Sequence, residues 1–166
     1  MTEETWQLLV VESLARSMEL CPHHFLREVP FRDGSRIDLL FFRNHRVIGF
    51  EMKMSDGGEA LRSLASRDLR QLRHFGAACD ALYLVTLASP RSWALMHDGH
   101  VVRLDPLEMQ LLPEGVGWIA FDMLTHQSTI LVSAPELQPK DADRHYLVGA
   151  METRLGGLLE DARRCR

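Results

Sequence analysis

At 166 residues, with 46% hydrophobic and 25% charged side chains, the chain is long enough for one buried core and has the composition of a globular domain, not a disordered tract. No apolar run approaches the ~18 residues of a membrane helix. A net charge of −4 and a pI near 6.0 exclude the strongly basic proteins that bind nucleic acid through charge alone.

A first helix is expected over about Glu3 to Leu20. Trp6, Leu9, Val10, Leu14 and Met18 recur at helical spacing, and Pro22 stops it. The acidic start lacks a basic, apolar leader. Phe25 to Phe31 reads as a first strand. Ser35 to Lys53 reads as two strands around Arg43-Asn44-His45-Arg46. With Asn44-His45 as a two-residue turn, Phe42 faces Val47, Leu40 faces Gly49 and Asp38 faces Glu51. Alternation then puts Ile37, Leu39, Phe41, Ile48, Phe50 and Met52 on one apolar face. The opposite face carries Arg36, Asp38, Glu51 and Lys53 at the end far from the turn.

One long helix is expected from about Gly58 to Phe75, burying Leu61, Leu64, Ala65, Leu69, Leu72 and Phe75. Arg62, Arg67, Arg70, Arg73 and His74 lie mostly off that stripe. They either meet phosphates or form a solvated face with local pairs such as Asp68 to Arg67. Cys79 to Thr86 reads as a fourth strand. Ser89-Pro90-Arg91-Ser92 should cap a short helix containing Trp93 and Met96, and Asp105-Pro106-Leu107-Glu108 should start another. Gly115 to Asp122 and Ser128 to Ser133 read as fifth and sixth strands. A terminal helix from about Asp141 to Arg164 offers Leu147, Met151, Leu155, Leu158 and Leu159. That stripe is expected to pack on the sheet, with a homodimer contact as its other use; Gly156-Gly157 weakens the helix there. The whole reads as a single α/β domain with helices flanking a central sheet.

The chemistry gathers on the hairpin. Of the 19 basic residues, only Lys53 and Lys140 are lysine. Lysine is a compact charge whose pKa responds to its surroundings, whereas arginine stays protonated. Glu51 and Lys53 share a strand face, and Asp38 lies across from them. Opposed carboxylates destabilise a strand pair by up to ~1 kcal/mol. A cation between them, such as Mg2+, removes that repulsion and suits oxygen ligands. The plainer alternative is an ion network of Asp38 with Arg36 and Glu51 with Lys53.

Asp38 followed by Glu51-x-Lys53 resembles the PD-(D/E)xK nuclease superfamily, with Ile37 in place of the proline. The resemblance covers roughly residues 3 to 122. It implies the restriction-endonuclease-like core of helix, three strands, helix and strand around a mixed sheet; a C-terminal hairpin and helix follow over about 123 to 166. Glu12 matches a glutamate that family members often carry on the first helix, with Glu19 and Glu28 as rivals. Gln71-Leu72-Arg73-His74-Phe75 is similar to the Gln-x-x-x-Tyr element of RecB-type nucleases. The resemblance implies Mg2+-dependent hydrolysis of DNA, with Mn2+ able to substitute. Asp38, Glu51, the Met52 backbone carbonyl and Glu12 would hold the metal. Lys53 would orient the attacking water, and Gln71 would position Lys53 or the substrate. A nuclease-fold module that has lost catalysis and binds nucleic acid or a protein is the alternative.

Three expectations follow from what surrounds this motif. The first 76 residues carry as many acidic as basic side chains and the remainder has an acidic excess, so DNA should be held weakly without a recruiting protein partner or dimerisation. Cys21, Cys79 and Cys165 are odd in number and widely spaced, which fits a reducing cytoplasm. Cys21-Pro22-His23-His24 has no second ligand pair, so a structural zinc is not expected. No phosphate-loop or Gly-x-Gly-x-x-Gly string is present.

Overall fold

Ala81-Leu82-Tyr83-Leu84-Val85 is buried on both faces, and so is Val116 to Phe121. Strands of this kind belong in the middle of a sheet covered on both sides. The computed structural model describes residues 2–88 and 106–164. Within them, α1 (Glu3–Ser17) and a short 3-10 turn (Pro22–His24) precede β1 (Phe25–Pro30), β2 (Arg36–Arg43) and β3 (Arg46–Asp56). Then come α2 (Gly57–Ser63), α3 (Ser66–Gly76), β4 (Ala81–Leu87), α4 (Pro106–Leu111), β5 (Val116–Asp122), β6 (Gln127–Val132) and α5 (Asp141–Arg164).

The six strands lie in the order β1-β2-β3-β4-β5-β6. β1, β2 and β3 form an antiparallel meander, β3, β4 and β5 run parallel, and β6 returns antiparallel. Trp6, Val10, Val11 and Leu14 of α1 pack on one face against Leu39, Phe41, Phe50 and Val85. Leu61, Leu72, Phe75, Leu147 and Met151 cover the other face against Leu40, Val47, Leu82 and Leu84. The architecture is therefore a mixed α/β sheet between helices with a C-terminal helix. Among the described residues, no helix is long and apolar enough to cross a membrane.

The hairpin forms with the expected register from Arg43–Arg46 back to Leu39–Phe50. Asn44 and His45 take φ of 51 and 63, the left-handed conformation that a two-residue hairpin turn requires. Two details differ from strict alternation. Asp38 and Glu51 are not ladder partners; the Asp38 carboxylate instead accepts the Met52 N–H at 2.6 Å. Ile37 packs with the helical layer of α3, not with Leu39 and Phe41. The cause lies in β1, where Glu28 has φ 50. It falls between the pairs Arg27–Leu39 and Val29–Ile37, and there both strands change face by one residue.

The expected helix from Gly58 to Phe75 is two helices. Asp68 accepts the Ala65 N–H at 2.9 Å, and this local bond starts a new helix. Ala65 is consequently exposed. Leu147 and Met151 of α5 pack on the sheet, as expected for that stripe. Asp80 ties α5 to the sheet, accepting from Val47 N–H and from Arg144, each at 2.7 Å. The helix expected around Trp93 and Met96, and Asp105 and Cys165, lie outside the described residues; α4 starts at Pro106.

Candidate active site

β3 runs past the end of its pairing with β2 and reaches Lys53 while still paired with β4. Beyond a register shift, Asp56 ends the strand and its carboxylate caps α2, accepting Gly58 N–H at 3.0 Å. Gly57 makes this junction possible. A Cβ there would stand 2.4 Å from the Trp118 ring and 3.2 Å from the Thr86 hydroxyl. Trp118 is itself fixed, its indole N–H donating to that hydroxyl at 3.0 Å in the core. The end of β3 is thus held by β4, α2 and β5 together.

Three of the expected site residues meet at this end. Lys53 Nζ lies 3.5 Å from Glu51 Oε1, and both groups feel the charge of Asp38. Glu51 is only 7% exposed, and its second oxygen, Oε2, is buried without a hydrogen-bond partner. Burial chiefly, and the Asp38 charge second, push the Glu51 carboxyl up to about 8, overriding the pull of Lys53. At pH 7 burial therefore favours its protonated form.

Lys53 moves the other way from most buried lysines. Desolvation pulls its pKa down, but Asp68, Glu51 and Asp38 outweigh this and raise it. Lys53 therefore stays an ammonium, a donor and a positive charge rather than a base. Its shortest ion pair is with Asp68 Oδ1, at 3.1 Å. Desolvation raises the Asp68 carboxyl, but the Ala65 N–H and Lys53 overcome that and hold it lower than usual. Asp68 was legible in the sequence only as a partner for Arg67. The available signal was its place as the third residue of a helix whose preceding turn needed capping.

The other expected residues stand apart. Gln71 donates from its side-chain amide to the Arg36 carbonyl at 3.3 Å, so it fastens α3 to the start of the Asp38 strand and does not touch Lys53. Glu12 is exposed on α1, and no hydrogen bond or ion pair joins it to Glu51 or Lys53. Of its rivals, Glu19 is exposed. Glu28 falls between the β1–β2 ladder pairs Arg27–Leu39 and Val29–Ile37, accepts from the buried Gln7 at 2.9 Å and lies 3.8 Å from Arg36.

Among the described residues, no three His, Cys, Asp or Glu side chains converge as a ready metal cluster. The donor set nonetheless suits a hard divalent cation. A buried carboxylate oxygen without a partner, a second carboxylate nearby and a strand carbonyl are all oxygen ligands. A cation there would also reverse the burial penalty that keeps Glu51 protonated.

No protein-family model and no curated protein matches the chain. Among solved structures, a protein of unknown function from Silicibacter pomeroyi is similar over 94% of this chain and 87% of its own, with 19% identity and a TM-score of 0.55. That similarity concerns the fold.

Proposed function

We propose that the chain is a metal-dependent nuclease that hydrolyses phosphodiester bonds in DNA, with a place in DNA repair, recombination or phage and host defence. The observation that carries this reading is Glu51: a nearly buried carboxyl with an unpartnered oxygen, beside Asp38 and the ammonium of Lys53. An unsatisfied buried oxygen costs ~1–3 kcal/mol, a cost that a bound cation would remove. The resemblance of Asp38 and Glu51-x-Lys53 to the PD-(D/E)xK pattern points the same way.

Asp38, Glu51 and the Met52 carbonyl would hold Mg2+, or Mn2+ in its place. When bound, the ion supplies charge neutralisation and Lewis acidity at the scissile phosphate. The protein's own groups do the rest. Lys53, protonated at working pH, orients the attacking water and stabilises charge growing on the phosphate oxygens. Asp68 holds the ammonium within reach when no substrate is present. Gln71 keeps α3 against the strand that bears Asp38. Cleavage in this family pattern leaves 5′-phosphate and 3′-hydroxyl ends.

The test is Mg2+-dependent cleavage of supercoiled, linear, single-stranded and branched DNA by wild type and Lys53→Ala. Cleavage by wild type and its loss in the variant supports the reading. No cleavage of any substrate in Mg2+ or Mn2+ supports a second one, a nuclease-fold module that binds nucleic acid or a protein partner. The Lys53–Asp68 pair favours that alternative, because the ammonium is already satisfied.

A further inference from the structure

α2 and α3 carry Arg62, Arg67, Arg70 and Arg73, all exposed. The one carboxylate on α3, Asp68, is turned toward Lys53 and its own helix start. Arg67 and Arg70, one turn apart, therefore have no carboxylate partner among the described residues. Both line an open depression of about 670 Å³ between α3 and the β1–β2 loop, with Arg36 on its other wall. Its acidic members are already engaged. Asp33 binds Ser35 and lies 3.5 Å from His74, and Glu28 binds Gln7 and approaches Arg36. Two guanidinium groups thus remain free over a trough that begins beside the Asp38 strand.

We propose that this trough holds backbone phosphates of a nucleic-acid strand, leading it along α3 into the Asp38–Glu51–Lys53 site. The inference rests on the nuclease reading for its direction, but the phosphate contact stands apart from catalysis. Guanidinium groups match phosphate in shape and charge. No Trp, Tyr or Phe lines the trough, and its one ring, the half-buried His74, already packs edge-on against Phe31, so recognition is chiefly of the backbone and independent of sequence. The lining carries three arginines against two carboxylates, a modestly positive face on a chain of net charge −4. Binding follows the charges facing the ligand more closely than the total.

The experiment is fluorescence anisotropy of labelled single-stranded and duplex oligonucleotides in EDTA, across salt concentration. Arg67→Gln/Arg70→Gln is compared with Arg43→Gln/Arg46→Gln, which removes the same charge at the exposed β2–β3 turn. Circular dichroism confirms that both are folded. The trough variant should lower the slope of log affinity against log salt by about two, so that raising salt from ~50 to ~200 mM costs it roughly tenfold less affinity than wild type. The turn variant should bind like wild type. Unchanged affinity and slope in the trough variant overturn the proposal, as does an equal loss in the turn variant. Trough-dependent binding without cleavage by wild type in Mg2+ or Mn2+ keeps the trough and removes only the hydrolase reading.

Discussion

Lys53 Nζ and Asp68 Oδ1 lie 3.1 Å apart, while the other oxygen of the same carboxylate takes the Ala65 N–H at 2.9 Å. One side chain both starts α3 and sets the resting position of the ammonium. The helix break and the electrostatics of the site are therefore a single device.

Asp68→Asn separates these roles, because the amide oxygen still caps the helix and the ionic hold is gone. Asp68→Ala should cost about 1 kcal/mol of stability for the lost hydrogen bond from the Ala65 N–H, and Asp68→Asn clearly less. In both, the Lys53 pKa should fall, since burial then meets less opposition. NMR titration of the Lys53 Nζ reads this directly. An identical titration in wild type and Asp68→Asn would remove Asp68 from any role in tuning Lys53.

Glu51 makes metal-free stability depend on pH. Its carboxyl is raised from 4.5 to about 8, so across that window the native state holds a proton that the unfolded state releases. Stability should then fall as pH rises through the window and level off above it, by at most about 1.4 kcal/mol per pH unit from this group. Glu51→Gln should flatten that part of the curve and be the more stable protein at pH 8.5. Urea unfolding in EDTA at several pH values decides it; the same slope in both proteins would refute the burial argument.

Divalent binding should expel the Glu51 proton. Isothermal calorimetry of Mg2+ at pH 7, in two buffers of different ionisation enthalpy, should show release of about one proton per ion, and none in Glu51→Gln. Binding without any proton release would place the ion elsewhere.

Gly57→Ala tests the packing that holds the end of β3. The added methyl meets the Trp118 ring at 2.4 Å, and the indole is pinned by Thr86. Overpacking of this kind costs roughly 1–3 kcal/mol. Chemical unfolding should show that loss together with a change in tryptophan fluorescence. Wild-type stability would mean that α2 can move away freely.

Much of this was legible in the chain. The meander and central strands follow from apolar alternation, from Asn44-His45 and from the continuous run at Ala81 to Val85. Asp38, Glu51 and Lys53 could be singled out as a candidate cluster because a rare lysine sits two positions from a glutamate on one strand face, and the structure brings the three together. The break at Leu64-Ala65 was hidden because both residues continue the helical apolar spacing, and only the Asp68 side chain interrupts it. Ile37 was placed on the wrong face because alternation carries no sign of a left-handed residue in the neighbouring strand; Glu28 supplies it. The contacts of Gln71 and Glu28 depend on elements far apart in sequence, which a one-dimensional pattern does not record.

Arg154 of α5 donates to the carbonyls of Arg27 and Glu28 at 2.9 and 3.1 Å. β1 is a border of the sheet, and borders recruit stray strands. The C-terminal helix thus acts as a guard on the side nearest Asp38. A chain shortened before Asp141 should self-associate along that border rather than persist as a smaller monomer.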